Sequence, residues 1–230
     1  MLLALAPVVP RIAASAGIPL RMDAPGVALT FDDGPHPEGT PAILELLDAA
    51  DAKATFFLVG EQVERYPGVA AEIARRGHLV GIHCHRHRVQ VRLGEAAIRD
   101  DLERARAAIH SRVESELRLH RPPLGIYSRA GLRLVREQGL DPLLWSRWGK
   151  DWRKRTTPER IARRAAGNLR DGDVVLLHDA DHYSARDSWR RTARALPAIL
   201  DAIERAGLEP GQPTGSGSAG ASSASVSQPK

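Results

Sequence analysis

Two carboxylates stand side by side in Thr30-Phe31-Asp32-Asp33-Gly34-Pro35, where an apolar run over 27–31 ends against a Gly-Pro turn. Side chains alternate sides in an extended segment, so adjacent acids can divide labour, one ligating a cation and the other moving a proton. An Asp-Gly pair also closes many strands as a plain solvated turn, so the pair alone does not decide. Farther on, His83-Cys84-His85-Arg86-His87 follows Leu79-Val80-Gly81-Ile82. Residues four apart share a face within a helical turn, which lets His83 and His87 reach one ion. Asp33 then completes a set of two imidazoles and a carboxylate of the kind zinc accepts, and three protein ligands leave positions open for water and substrate. A histidine-rich pentapeptide can also be an adventitious metal binder on the surface, which is the reading kept for His85 and the distant His182.

Three weaker signals follow. Arg121-Pro122-Pro123-Leu124-Gly125 sets a guanidinium before a loop stiffened by two prolines that lack N–H groups. Arg121 can pair there with a carboxylate while the Leu124 N–H meets an oxyanion. Asp151-Trp152 and Leu176-Leu177-His178-Asp179 add an acid, an aromatic and a histidine at the end of an apolar run. Taken singly, such residues are more often satisfied parts of a core.

Short β-branched and apolar runs at 27–31, 54–59, 79–82, 117–119, 143–145 and 174–177 read as strands. Between them, three-to-four-residue periodicity predicts helices over 41–50, 69–75, 95–113, 130–137, 158–169 and 192–206. Thr157-Pro158 reads as an N-cap and first turn, and Gly139 and Gly207 stand where helices should stop. Strict alternation of strand and helix implies parallel strands, here a deformed (β/α) barrel, closed or nearly so, of about seven strands with its chemistry at the C-terminal strand ends. Each polar motif above follows an apolar run immediately or within a few residues.

Composition narrows the function classes. The 230 residues suit one domain with a full core, and the 43% hydrophobic content is ordinary. The net charge of +5 comes mostly from arginines interleaved with acids, as in Arg99-Asp100-Asp101-Leu102-Glu103-Arg104, which reads as a solvated helix face. With aromatics at only 4%, no basic strip with stacking rings emerges, and no nucleic-acid partner is expected. The single cysteine, Cys84, excludes a disulfide framework and a thiolate zinc cluster, so a metal must be held by His and carboxylate. Residues 1–24 form an apolar N-terminal segment that lacks a basic n-region and is broken by prolines, hence no convincing signal peptide. It reads as a strand-like lid or as the remnant of a membrane anchor, which would bring the protein near a membrane. After Pro210 the Gly, Ser and Ala content makes 211–230 a disordered tail by expectation.

Taken in order, the five motifs resemble the NodB-homology domain of the polysaccharide deacetylases, carbohydrate esterase family four, over residues 25–210. The family's Thr-Phe-Asp-Asp-Gly-Pro is matched in full at 30–35, both histidines of His-(Ser/Thr)-x-x-His at 83 and 87, Arg-x-Pro-x-Gly at 121–125 and Leu-x-His at 176–178; Asp-x-x-Asp-Trp is matched only by Asp151 and Trp152. The resemblance implies Asp32 as catalytic base, Asp33, His83 and His87 as ligands of one divalent ion, and His178 as catalytic acid. It implies that Arg121 orients Asp32, that Asp151 tunes His178, that Trp152 and Leu176 wall the acetyl pocket, and that the Leu124 N–H stabilises the oxyanion. The implied activity is removal of N-acetyl, or O-acetyl, groups from a glycan by a monomeric, zinc-dependent hydrolase at the cell envelope, with cobalt, manganese or nickel as other candidate ions. An amidase or imidase acting on a small molecule and a non-catalytic glycan-binding protein are the rival readings. Cys84 stands where the family has Ser or Thr, Trp148 where it has an acid, and Leu124 where it has an aromatic.

Overall fold

The computed structural model describes residues 2–213. Three central strands, β1 (Val27–Asp32), β2 (Thr55–Val59) and β3 (Leu79–Cys84), are buried almost throughout. Burial on both faces explains why they read as unbroken apolar runs rather than alternating ones. β4 (Leu119–His120), β5 (Asp141–Pro142) and β6 (Arg147–Trp148) are brief, and β7 (Val174–His178) is again fully formed. These seven strands pair in parallel in the order β5-β4-β3-β2-β1-β7-β6, and the short β8 (Pro210–Gly211) adds to β1. The sheet curls into a half-barrel, with Phe31 stacked on Phe56 at 5.1 Å between ring centroids in its core.

The intervening helices are α1 (Pro10–Ser15), α2 (Gly39–Ala49), α3 (Gly60–Arg65), α4 (Pro67–Arg75), α5 (Glu95–His110), α6 (Arg129–Glu137), α7 (Pro158–Ala166) and α8 (Ser188–Arg205). Thr157 Oγ1 accepts from Arg160 N at the start of α7, and Gly139 and Gly207 end their helices at φ of 69° and 68°. α3, only six residues long, falls below the length at which periodicity can announce a helix.

The half-barrel does not close, and the reason corrects one sequence expectation. Residues 143–145 form no strand; with Ser146 they bridge the two ends of the sheet, between β5 and β6. Leu143 N still donates to His120 O of β4 at 3.0 Å, but the groups that follow it are engaged elsewhere. The Leu143 and Leu144 carbonyls accept from Arg121 Nε at 3.0 Å and Nη2 at 2.8 Å, and Leu144 N donates to Pro19 O at 3.0 Å. Carbonyls aimed at a guanidinium inside the half-barrel point away from a neighbouring strand.

The N-terminal segment is helical where a strand-like lid was one expectation: a 3-10 turn at Leu2–Leu5 leads into α1. Ala6, Ala13, Ile18 and Met22 belong to the same core as the sheet. Among the described residues no helix is long and apolar enough to cross a membrane. At the other end, Gly211 pairs with Ala28 and Gln212 Nε2 donates to Ala54 O at 2.9 Å. The first residues of the expected disordered tail are therefore part of the fold, and 214–230 lie outside the described residues.

Candidate active site

Asp32 ends β1, but Asp33 leaves the strand with φ of 79°, so strand alternation does not separate them. Both carboxylates line one cavity of about 240 Å³ and are distinguished by their partners. Asp32 Oδ1 accepts from Arg121 Nη1 at 2.8 Å, and the same nitrogen reaches Thr30 Oγ1. Arg121 is fully buried, with its guanidinium 4.0 Å from the Phe57 ring centroid and all three of its nitrogens hydrogen-bonded. Burial lowers its pKa and Asp32 opposes that shift. Such a group is fixed in position, because moving it would strand a buried cation.

Asp33 faces the two histidines. Its Oδ1 lies 3.4 Å from His83 Nε2 and 3.3 Å from His87 Nε2, and the three ligand atoms lie within 4.8 Å of one another. Burial pushes the Asp33 carboxyl up, yet its hydrogen bonds to His83 and His87 and the nearby His178 outweigh this and hold it well below the usual range. The histidines converge by a route other than the helical turn expected from their spacing: His83 sits on β3 and His87 in the loop after it. The loop is held by Asp101 on α5, whose carboxylate accepts from His85 N at 2.7 Å, Arg86 N at 3.2 Å and Arg88 Nη2 at 2.8 Å. Asp101 is thus buried structure rather than part of a solvated charge run. His85, expected on the surface, is 2% exposed. Cys84 is buried, with burial raising its thiol well above the usual pKa, so it adds no thiolate. Two imidazole Nε2 atoms and a carboxylate oxygen facing one point fit a divalent cation.

His178 ends β7 directly across from Asp32 in the parallel register. Its Nδ1 pairs with Asp151 Oδ1 at 2.9 Å, and Asp151 Oδ2 accepts from His178 N at 2.7 Å and Thr192 Oγ1 at 2.8 Å. Burial pushes the imidazole pKa down, but Asp151, followed by Asp33 and Asp32, carries it up to about 10. Asp151 is fully buried and is the carboxylate in contact with the ring, while Trp148, where an acid is usual, instead packs 5.7 Å from Trp152.

Trp152 meets His178 edge-on at 5.5 Å, and Leu176 and Leu124 join it on the cavity wall. Leu124 holds φ of 59° and leaves its side chain 58% exposed at the rim, which suits a role for its backbone rather than its side chain. Every site residue expected from sequence other than Arg121 and Asp151 lines this cavity, and those two support it from behind. Tyr183 was not foreseen: its ring stacks on His87 at 4.3 Å and its hydroxyl donates to Glu61 Oε1 at 2.7 Å. Its place five residues after His178 was the only signal.

A second cluster, His36, Asp181 and His182, has the same residue types. Three of its four ring nitrogens have partners. His36 Nδ1 accepts from Gly39 N at 2.8 Å and Glu38 N at 3.1 Å, so the ring proton is on Nε2, which points to Asp181 Oδ1 at 3.3 Å. His182 Nε2 donates to Pro35 O at 3.3 Å. Burial lowers the His36 pKa, consistent with a neutral ring that stabilises the start of α2.

The family model of polysaccharide deacetylases matches residues 20–143. A peptidoglycan-N-acetylglucosamine deacetylase of Bacillus cereus is 33% identical over 79% of this chain and 83% of its own length. A chitooligosaccharide deacetylase of Azorhizobium caulinodans is 32% identical over 79% of this chain and 90% of its own. Among solved structures, a peptidoglycan N-acetylglucosamine deacetylase in complex with 4-naphthalen-1-yl-N-oxidanyl-benzamide superposes with a TM-score of 0.74 at 30% identity, covering 80% of this chain and 87% of that one. Asp151, Trp152 and His178 lie beyond the stretch matched by the family model.

Proposed function

The chain belongs to the polysaccharide deacetylase family, and from that membership we propose that it hydrolyses the N-acetyl group of a glucosamine-type residue in an envelope glycan with one divalent ion, zinc by preference. The observation that carries this reading is the meeting, in one 240 Å³ cavity, of a three-ligand set, an Arg121-anchored carboxylate and an Asp151-anchored histidine. Binding alone requires no such combination of base, acid and open ligand set.

Asp33, His83 and His87 would hold the ion, which supplies Lewis acidity to a water and to the acetyl carbonyl. Asp32 takes the proton of the attacking water at Oδ2, the oxygen that makes no hydrogen bond to the protein, while Oδ1 stays on Arg121. The Leu124 N–H faces the developing oxyanion. His178, protonated through Asp151, donates from Nε2 to the departing amine, and Trp152 and Leu176 shape the space for the acetyl methyl. A glycan of this kind lies outside the cytoplasm, and the site is complete within one chain, so a monomer suffices.

Acetate release from N-acetylglucosamine oligomers and from peptidoglycan, with metal content measured on the same preparation, tests the reading. Turnover on at least one of these with one ion per chain supports it. No release from a metal-loaded, folded protein on any of them would overturn it.

A further inference from the structure

Beside the catalytic cavity lies a second, larger groove of about 860 Å³ between the N-terminal segment and the stretch that bridges the sheet ends. The two share a wall, since Trp145 and Trp148, with ring centroids 5.9 Å apart, line both. Pro7, Val8, Pro10 and Ala14 form its outer side, with Val8 57% exposed. Its volume is that of a pocket for a whole small ligand, several times the space at the catalytic residues.

The hydroxyl and the guanidinium lining this groove are already engaged. Ser146 Oγ donates to Asp173 Oδ1 at 2.6 Å and accepts from Val174 N at 3.1 Å. Arg21 pairs with the same Asp173 at 2.8 Å and donates to Asp171 O at 3.1 Å. A further sugar laid there would exchange its water hydrogen bonds for contacts with proline, valine and tryptophan, which is unfavourable for hydroxyls and favourable for hydrocarbon.

The geometry points to an apolar aglycone: the groove takes the alkyl or prenyl chain of a lipid-linked N-acetyl sugar whose acetamido group enters the catalytic cavity. This substrate class rests on the deacetylase reading. The shared tryptophans supply the continuity, because the same two rings that wall the catalytic cavity also line the groove, so a chain leaving the sugar meets apolar surface next to the site.

The test compares acetate release from octyl and methyl β-N-acetylglucosaminide, both below the micelle concentration of the octyl compound. The expected octyl preference in kcat/KM is about tenfold or more, expressed mainly in KM, because each buried methylene contributes separately. Ala14→Phe, a substitution on the exposed side of α1 that fills the groove, should bring the octyl-to-methyl ratio towards one, and Val8→Asp should lower it. Equal rates in the unmodified protein, or a ratio that Ala14→Phe leaves untouched, would overturn the inference. Calorimetric titration with octyl β-glucoside separates this from failure of the deacetylase reading. Binding that Ala14→Phe removes upholds the groove even if neither glycoside is hydrolysed, and no binding refutes it. A dimer that Ala14→Phe dissociates would assign the groove to a second copy and refute it too.

Discussion

Among the described residues two clusters contain two histidines and an aspartate within ligand distance, and their hydrogen bonds set them apart. At Asp33, His83 and His87 the Nε2 atoms face a carboxylate oxygen from two directions and His83 Nδ1 has no partner. At His36, Asp181 and His182 the backbone has taken one nitrogen of each ring: two N–H groups of the α2 start occupy His36 Nδ1 and a carbonyl occupies His182 Nε2. A cation competing for His36 Nε2 would have to displace a proton that the neutral ring cannot relocate, since its other nitrogen is an acceptor. Residue type and proximity are equal in the two places, and proton accounting separates them.

The sharpest way to break this comparison is to delete the histidines pairwise. His83→Ala with His87→Ala should abolish stoichiometric metal binding by elemental analysis, whereas His36→Ala with His182→Ala should leave one ion per chain. Metal undiminished in the first double variant would show that the clusters have been assigned the wrong way round.

Next in size is the separation of the neighbouring acids. Asp32→Asn keeps an oxygen for Arg121 and leaves the three ligands intact, so metal should remain while turnover falls on the order of a hundredfold or more. Loss of metal together with activity would move Asp32 into the coordination set.

A smaller effect concerns pH. His178 is raised to about 10, so it stays protonated, and able to donate, until pH rises through its folded pKa. A cation near Asp33 lowers that limit. Asp151→Asn removes the principal raising charge, and the alkaline limb of kcat should therefore move to lower pH. A limb that stays in place with measurable activity would hand the task to another acid, for which Asp179, buried beside the site, is the first candidate. The same shift acts on stability: the His178–Asp151 pair stabilises the fold fully below the ordinary histidine pKa and loses that contribution as pH rises towards 10.

The smallest expected change is at the second cluster. His36→Ala removes the acceptor for two N–H groups at the start of α2 and should cost about 1 kcal/mol, a few degrees in Tm, with metal content unaffected. Thermal melts with and without added zinc would check this, since a zinc-dependent gain that vanishes in His36→Ala would contradict the assignment.

Most of the residues that meet in the cavity were legible because they follow apolar runs immediately or within a few residues, and parallel strands bring such ends together. What stayed hidden depends on partners distant in sequence. Nothing local reveals that Asp101 anchors the histidine loop, that Thr192 shares Asp151, or that Tyr183 stacks on His87. The apolar residues 143–145 were misread for a related reason: hydrophobicity marks burial, but whether a carbonyl joins a ladder or an arginine is decided elsewhere. His83 and His87 met as expected, by a strand end and a bend rather than a helical turn.

Arg121 ties Asp32 to the stretch that bridges the sheet ends, and this has a consequence for the order in which the protein matures. Asp32 and Arg121 are 89 residues apart, and the guanidinium is fixed in turn by the carbonyls of Leu143 and Leu144. Contacts of such separation form late, because the intervening chain must first be ordered. A nascent chain that has emerged only through α5 can pair β1, β2 and β3 and bring Asp33 towards its histidines, yet it lacks the residues that aim Asp32. Asp33 and the two histidines can thus meet before Asp32 is aligned.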